Sequence, residues 1–275
     1  MKDIDKKIID ILLNKPDLIV DFPDWMLSDA EVKTIRTTEN IAIAEIAGRD
    51  SIAAVIRACD LRPIKAIVPT IAYTGTEYGN WKVPFEKIDI LKDRLQKKGI
   101  KIYDPIVLGS PKFWGTLCGR YVTHFFKAFQ FFSHCLGCHL YFHAIRIPLA
   151  KALSCNLIIG GERESHDGKL KVNQIGVSLN AYINLLKKFD IELFLPIRHV
   201  KSGEEVESIL DQKWEEGDHQ LECVLSKNYQ EMDGSVILNE EAVKRFFDEF
   251  ALAKAEEVIK SYLVQGRIEK VDTKV

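Results

Sequence analysis

Short apolar runs alternate with segments of helical periodicity between residues 40 and 210, and this alternation constrains the fold more than any other feature. The runs lie at residues 41–44, 65–70, 100–108, 156–160 and 191–196. Strands that are apolar on both faces are typical of parallel sheets covered by helices on both sides. We therefore predict an α/β fold with a doubly wound, mostly parallel sheet and helices on both faces.

The segments around these runs set the expected organisation of the 275-residue chain. Helical periodicity predicts helices at residues 51–59, 85–98, 140–153 and 204–210, with a kink at Pro148 in the third. Residues 1–39 are expected to form an N-terminal helix and a wrapping segment, residues 40–212 the α/β domain, and residues 213–275 a C-terminal helical extension. Asn239 is placed to cap the last helix.

Composition excludes several classes of protein. The chain is 47% hydrophobic and 28% charged, and its net charge of −2 lacks the basic excess of an obligate nucleic-acid binder. No apolar run reaches the ~20 residues that span a bilayer, so we expect no membrane association. Residues 1–14 lack the apolar centre of a signal peptide, which favours a cytoplasmic location. Thiols stay reduced there, so the six cysteines are candidates for metal binding rather than disulfides.

The turn after the first apolar run is a candidate anion site. It reads Ala47-Gly48-Arg49-Asp50-Ser51 and joins a strand to a helix, where backbone N–H groups and the helix dipole favour a bound anion. Arg49 adds a cation, Ser51 adds a hydroxyl donor, and Gly48 allows close backbone approach or a positive φ. The carboxylate of Asp50 suits either Mg²⁺ or a helix cap. An ordinary connection capped by Asp50 is the alternative interpretation.

Residues 46–51, IAGRDS, resemble the SGGxDS signature of the PP-loop ATP pyrophosphatase superfamily. Gly48, Asp50 and Ser51 match this signature, whereas Ile46 replaces its serine and Ala47 replaces its first glycine. The resemblance implies an adenine nucleotide alpha-hydrolase-like fold that binds ATP and Mg²⁺. It also implies an enzyme that adenylates an oxygen of its substrate, releases pyrophosphate and lets a nucleophile displace AMP.

The same resemblance implies which residues hold the nucleotide. Asp50 and Ser51 are the expected catalytic residues. The residues expected to bind ATP are Ala47, Gly48, Arg49, Asp50, Ser51, Pro69, Thr70, Gly160, Gly161 and Glu162. The first five form the turn, the next two offer main-chain atoms to the adenine at the end of the second strand, and the last three follow the fourth strand and face the phosphates and Mg²⁺.

A Cys-x-x-Cys motif at Cys135 and Cys138 is a candidate metal site, because this spacing lets two thiolates bind one metal or cluster. The residues alone leave two ligand sets open. One is a zinc site that adds His139 or His143, and the other is an iron–sulfur site. Cys59, Cys118 and Cys155 are expected to be small buried apolar residues. Cys223 is the further cysteine considered as a ligand beside the pair.

The motif and the helix after it resemble those of PP-loop enzymes that insert sulfur into tRNA. In one branch of these enzymes a third cysteine follows at a distance that Cys223 matches here, which implies a [4Fe-4S] cluster on Cys135, Cys138 and Cys223. The zinc ribbons of that branch are absent from this sequence. The implied activity is transfer of sulfur from a donor to a tRNA base or a small-molecule acceptor. A ligase or amidotransferase with zinc on the cysteines, or a non-catalytic nucleotide-binding protein, is the alternative.

Three further features carry expectations of their own. Residues 165–173, SHDGKLKVN, form a polar loop that is expected to act as a mobile lid or a substrate loop. Arg146 is expected to contact a phosphate or to form a structural salt bridge. The phenylalanines at residues 125–132 are expected to lie in the core or in a homodimer interface.

Overall fold

The computed structural model describes residues 2–213 and 221–272, and helices provide most of its regular structure. The helices are α1 Lys2–Asn14, α2 Asp29–Thr37, α3 Arg49–Leu61, α4 Val83–Leu95, α5 Pro111–Trp114, α6 Val122–Phe129, α7 His134–Ala144, α8 Arg146–Ala152, α9 Gly176–Lys187, α10 Gly203–Leu210, α11 Glu240–Phe246 and α12 Leu252–Asp272. None of them is both long enough and apolar enough to cross a membrane, within the described residues.

A parallel sheet forms the centre of the fold and confirms the predicted α/β class. Its strands are β1 Ile41–Glu45, β2 Ala66–Tyr73, β4 Lys101–Ile102, β5 Ile106–Gly109, β6 Leu157–Ile159 and β7 Glu192–Phe194, while β3 Glu77–Tyr78 and β8 Glu222–Cys223 pair separately and antiparallel. The order across the sheet is β4-β2-β1-β6-β7, with β5 also pairing with β2. Because β1 and β2 are buried on both faces, the apolar runs identified these strands correctly.

The strand order reverses between β1 and β6. From β1 the chain adds β2, β4 and β5 on one side, and it then returns to add β6 and β7 on the other. In open parallel sheets, ligands bind outside the carboxyl ends of the strands at such a reversal. The turn after β1 and the glycines after β6 therefore lie together at the point where this topology places a binding site.

Two strand predictions were wrong in their extent. The predicted third strand, residues 100–108, is interrupted because Pro105 has no N–H to donate to a ladder, and β4 and β5 pair with β2 one after the other. The second strand was predicted to end at Thr70, but β2 continues to Tyr73 because Thr70 and the residues after it pair with β5.

Helical predictions failed at two places. The predicted helix at residues 140–153 is two helices, and α7 ends at Ala144. Pro148, four residues later, has no N–H to donate to the Ala144 carbonyl, so the helical hydrogen bond at this point is missing. The wrapping segment contains the unpredicted helix α2, which begins with a capping box between Ser28 and Glu31. Ahead of α2, Leu18 exchanges two backbone hydrogen bonds with Gly109, so this segment covers the end of the edge strand β5.

The C-terminal helices pack against the α/β layers through aromatic side chains. Asn239 caps α11 through a hydrogen bond from the Ala242 N–H, as the sequence predicted. Phe125, which is fully buried, contacts Phe246 edge-on with ring centroids 5.4 Å apart. Phe126 is 55% exposed, so the phenylalanines of this segment divide between core and surface. The homodimer interface remains a prediction.

Gly161 brings the chain after β6 into direct contact with the start of α3. A Cβ at this position would lie 2.6 Å from Ser51 Cα and 2.7 Å from Ser51 N, closer than such atoms approach in proteins. Only a glycine permits this approach, so the two segments at the strand-order reversal are held together by backbone packing.

We expect Gly161→Ala to destabilise the protein by about 1–3 kcal/mol, because the added methyl group overpacks a backbone contact that has no flexible side chain to move. Gly115→Ala is the matched control, since its Cβ would have no neighbour closer than 3.8 Å. Thermal unfolding measures both variants. Equal midpoints in the two would contradict the close packing of Gly161 on α3.

Candidate functional site

The turn after β1 closes through the side chain of Ser51. Helix α3 begins at Arg49 with Gly48 as its N-cap residue, so the predicted start near Ser51 was late. The Ser51 hydroxyl donates to the Gly48 carbonyl at 2.6 Å and accepts from the Ala47 N–H at 3.0 Å. Gly48 has an extended φ of −140°, so the turn does not require a positive φ. The hydroxyl of Ser51 shapes the turn, and its predicted catalytic role remains a prediction.

Asp50 bridges two arginines instead of capping the helix. Its carboxylate accepts from Arg163 Nε at 2.8 Å and from Arg49 Nε at 3.1 Å. Burial alone would raise the pKa of Asp50, but the hydrogen bonds and charges of Arg163 and Arg49 lower it below its usual value. Asp50 is therefore an anion that fixes two cations at the start of α3, which corrects the expectation of an N-cap.

A buried network of acidic and basic groups connects the ends of β1 and β6 to helix α7. His143 Nδ1 lies 2.8 Å from Glu45 Oε1 at the end of β1, and its Nε2 lies 3.5 Å from Glu162 Oε1 beyond β6. His139, one turn earlier on α7, places Nδ1 2.7 Å from the same oxygen of Glu162. The other oxygen of Glu162 accepts from the Gln174 amide. All five side chains therefore meet at the strand-order reversal.

The network fixes the charge state of its central groups. Burial alone would lower the pKa of the fully buried His143, but the carboxylates of Glu45 and Glu162 raise it to about 9. Burial alone would raise the pKa of Glu162, but His139 and His143 hold it far below its usual value. Near neutral pH the site thus contains an imidazolium between two carboxylates, and Glu162 is already paired where the sequence predicted a ligand for Mg²⁺.

Pro69 and Thr70 do not reach the surface of the site. Both are buried inside β2, and the Thr70 carbonyl accepts from the Ile46 N–H at 2.9 Å. Arg146 donates from Nε to the Thr70 hydroxyl at 2.7 Å and lies 3.5 Å from Glu45, which favours the structural role among its two expected roles. The predicted adenine contacts at Pro69 and Thr70 are untested, and their main-chain atoms serve the sheet here.

Three cysteines from two distant segments meet beyond the carboxyl end of β2. Cys135 and Cys138 lie in the first turns of α7, and Cys223 lies in β8, which pairs with β3 directly after β2. The backbone of Leu225 contacts both segments, since its N–H donates to Cys223 Sγ at 3.4 Å and its carbonyl lies 3.9 Å from Cys135 Sγ. Asn228 donates to Cys135 Sγ at 3.2 Å.

Of the other cysteines, Cys118 and Cys155 are buried and Cys59 is partly buried. Cys155 contacts backbone carbonyls of the sheet, as expected for a structural residue. Cys118 lies next to the motif, because a Cβ at Gly137 would be 3.1 Å from its sulfur. No pattern in the sequence associates Cys118 with the motif.

The sulfur atoms of Cys135, Cys138 and Cys223 suit a soft metal. Their separations in this structure are not those of ligands to one metal ion. Burial raises the pKa of Cys135 and Cys138, so these two thiols are protonated without a metal. Across residues 2–213 and 221–272, no three Cys, His, Asp or Glu side chains are spaced to hold a metal ion. Thiolate ligands fit an iron–sulfur cluster or zinc by chemistry, and the sulfurs would have to close around either one.

Glu45 and Arg163 are the site residues that sequence reasoning missed. Glu45 is the last residue of the buried strand β1, and Arg163 lies in the short segment after the buried strand β6. Charged residues at these positions point to the carboxyl edge of the sheet, and that was the available signal. The partner of Glu45 is His143 on α7 and the partner of Arg163 is Asp50 on α3, each about a hundred residues away, and neither carried such a signal.

Comparison with known proteins gives one close relative in sequence. The chain is 39% identical over 245 residues to the uncharacterized protein MJ0009 of Methanocaldococcus jannaschii. The aligned region covers 87% of this chain and 88% of that protein. Identity of this extent shows that the two proteins belong to one family. The chain matches no model of a known protein family.

Among solved structures, the chain is similar to the U34-tRNA thiolase NcsA from Methanococcus maripaludis with its [4Fe-4S] cluster. The sequence identity is 14%, the aligned region covers 86% of this chain and 76% of that chain, and the TM-score is 0.39. A TM-score this low supports no conclusion about the fold or the function of this chain.

The raised pKa of His143 predicts how stability changes with pH. A group whose pKa rises from about 6.5 unfolded to about 9 folded stabilises the protein fully below pH 6.5, and this contribution is lost as the pH rises to 9. His143→Gln should lower stability by about 1–3 kcal/mol at pH 6.5, because it removes the cation shared by Glu45 and Glu162 and leaves them with Arg146 at 3.5 Å and His139 at 2.7 Å.

Thermal unfolding between pH 6.5 and pH 9 tests this expectation. The wild-type midpoint should fall across this range, and the midpoint of His143→Gln should change much less. His199→Gln, at a side chain that is 81% exposed, should keep the wild-type dependence. Parallel pH profiles for the wild type and His143→Gln would rule out a charged His143 in the folded protein.

Proposed function

We propose that this chain, which belongs to the same family as MJ0009, is an ATP-dependent adenylating enzyme that transfers sulfur to a tRNA base or a small-molecule acceptor. The acceptor oxygen attacks the α-phosphorus of ATP, and pyrophosphate leaves. A sulfide then attacks the activated carbon, and AMP leaves with the oxygen. The net change is a C=O group converted to C=S, with ATP converted to AMP and pyrophosphate.

Helix α7 carries the observation on which this proposal rests. Cys135 and Cys138 lie in its first turns, and His139 and His143 on the same helix contact Glu162 and Glu45 at the strand-order reversal. From Cys138 to His143 the helix rises about 7.5 Å. The cysteine motif and the network at the strand-order reversal therefore lie less than two turns apart on one helix, which supports a reaction that uses both.

The nucleotide would be held mostly by backbone and cations. The first N–H groups of α3 and the charge of Arg49 face the phosphates, and Asp50 keeps Arg49 and Arg163 in place. Catalysis would come from positioning the acceptor and from stabilising the charge of the leaving pyrophosphate, with Mg²⁺ as a further cation. Ser51 maintains the turn that presents these groups.

Cys135, Cys138 and Cys223 would hold a cluster, and its iron without a protein ligand would supply a binding place for sulfide. Zinc is the second candidate, and the contact between His139 and Glu162 favours it. A carboxylate bonded to one ring nitrogen orients the other nitrogen toward a metal, and His139 lies next to Cys138. With zinc in place of a cluster, an amine would replace sulfide as the nucleophile, as in ligases and amidotransferases.

Product analysis tests the adenylation. The protein, purified without oxygen, is incubated with labelled ATP, Mg²⁺, sulfide and total tRNA, and we expect AMP and pyrophosphate in equal amounts. Arg49→Ala should reduce the rate by at least about tenfold, since one cation at the phosphates is lost. Arg57→Ala, on the same helix away from its start, is the control. ADP as the only product would rule the proposed reaction out.

Metal and sulfide analysis of cysteine variants tests the sulfur site. We expect iron and acid-labile sulfide in the wild-type protein, and loss of both in Cys135→Ala, Cys138→Ala and Cys223→Ala. Cys155→Ala should retain them, because that thiol lies against the Ile41 and Leu157 carbonyls of the sheet. Zinc in the wild type that survives Cys223→Ala but not Cys138→Ala would favour the zinc site over the cluster.

A further inference from the structure

Cations outnumber anions where the loop after β6 meets the start of α3. Arg49 and Arg163 share the single carboxylate of Asp50, and Glu162 is occupied by His139 and His143. Lys171 forms no ion pair within the described residues, although it is only partly exposed. The positive end of the α3 dipole adds to this excess. Asp167 is the other carboxylate beside Arg49, so the three cations Arg49, Arg163 and Lys171 face the two anions Asp50 and Asp167 at this point.

Two buried polar atoms of the same loop lack a hydrogen bond. His166 is 5% exposed and its Nε2 has no well-formed hydrogen bond; the Oε1 of Gln174 has none either, and the Gln174 side chain acts on the imidazole as a neighbouring hydrogen-bonding group. The charges of Lys171, Arg163 and Asp50 all act on the His166 imidazole, so it lies among them. Buried polar atoms without partners are rare, and at a binding site they indicate where a ligand completes the bonding.

The loop is held over the start of α3 by hydrogen bonds between its side chains and the backbone. Arg163 donates to the Ser165 carbonyl at 2.7 Å, and the Asp167 carboxylate accepts from the Gly203 N–H at 3.0 Å. A Cβ at Gly203 would lie 3.2 Å from Arg49 Nη1, which places this anchor beside the nucleotide turn. His166 and Lys171 are therefore fixed near Asp50 in this structure.

We propose that Lys171 and His166 complete an anion pocket over the start of α3 and bind the pyrophosphate portion of the nucleotide. This assignment rests on the proposed function and adds two residues that the phosphate-binding signature does not contain. It also replaces the expectation of a lid with that of a phosphate-binding segment.

The chemistry of both side chains fits a multiply charged anion. Burial lowers the pKa of Lys171 more than Asp50 and Glu162 raise it, so its ammonium group is poorly compensated until an anion arrives. Burial together with Lys171 and Arg163 lowers the pKa of His166 to about 4, so the imidazole is neutral and donates a hydrogen bond from one nitrogen. Pyrophosphate offers both the charge and the acceptor oxygens that these groups lack.

Titration calorimetry with inorganic pyrophosphate tests the assignment. We expect the dissociation constant of Lys171→Ala to rise at least about tenfold over wild type, and that of His166→Ala to rise several-fold, because each loses a hydrogen bond to a charged ligand. Lys171→Arg should bind more tightly than Lys171→Ala. Lys169→Ala is the matched control, since Lys169 is an exposed lysine of the same loop.

Thermal unfolding without ligand separates binding from structure. Removing a poorly compensated cation should leave the midpoint of Lys171→Ala equal to or above that of wild type. If wild type binds pyrophosphate and Lys171→Ala binds it as tightly as Lys169→Ala, the assignment is wrong while the proposed function stands. If wild type binds neither pyrophosphate nor ATP, both are wrong.

Discussion

The ionic contact of His143 with Glu45 and Glu162 is the constraint on which the rest of the site depends. Each of the three groups comes from a different element, namely α7, the end of β1 and the segment after β6. Two carboxylates cannot be buried side by side without a cation between them, because the desolvation of each charge is unfavourable by several kcal/mol. The imidazolium therefore determines how closely the two central strands and α7 can approach, and with them the turn at Asp50 and the cysteines of the motif.

Much of the fold could be predicted because it depends on local pattern. The apolar runs identified the central strands, and Asn239 was recognised as a cap from its place before a helical stripe. The errors occurred where a distant partner decides the outcome. β2 extends beyond Thr70 because β5 pairs with its end, and residues 71–73 alone do not predict this pairing.

The site was predicted only in part for the same reason. The turn at Gly48 and the cysteine motif are contiguous in sequence and were recognisable, whereas the contacts of Glu45 with His143 join residues 98 positions apart. Arg146 shows the difference clearly. Its position in a helix left a phosphate contact and a salt bridge equally open, and only the meeting of β1, β2 and α8 shows it against Glu45 and the Thr70 hydroxyl.

The short pairing of β3 with β8 has a consequence for the order in which the cysteine site is assembled. Cys135 and Cys138 belong to a helix anchored in the core, whereas Cys223 is carried by a ribbon of two residue pairs. Opening so small a ribbon costs far less free energy than opening the sheet. Amide hydrogen exchange should therefore be fast at Glu222 and Cys223 and slow in β1. In the proposed cluster site, α7 would hold Cys135 and Cys138 in place, and Cys223 would join them when the ribbon closes. A metal or cluster at such a site would enter and leave when the β3–β8 ribbon opens, while the rest of the protein stays folded.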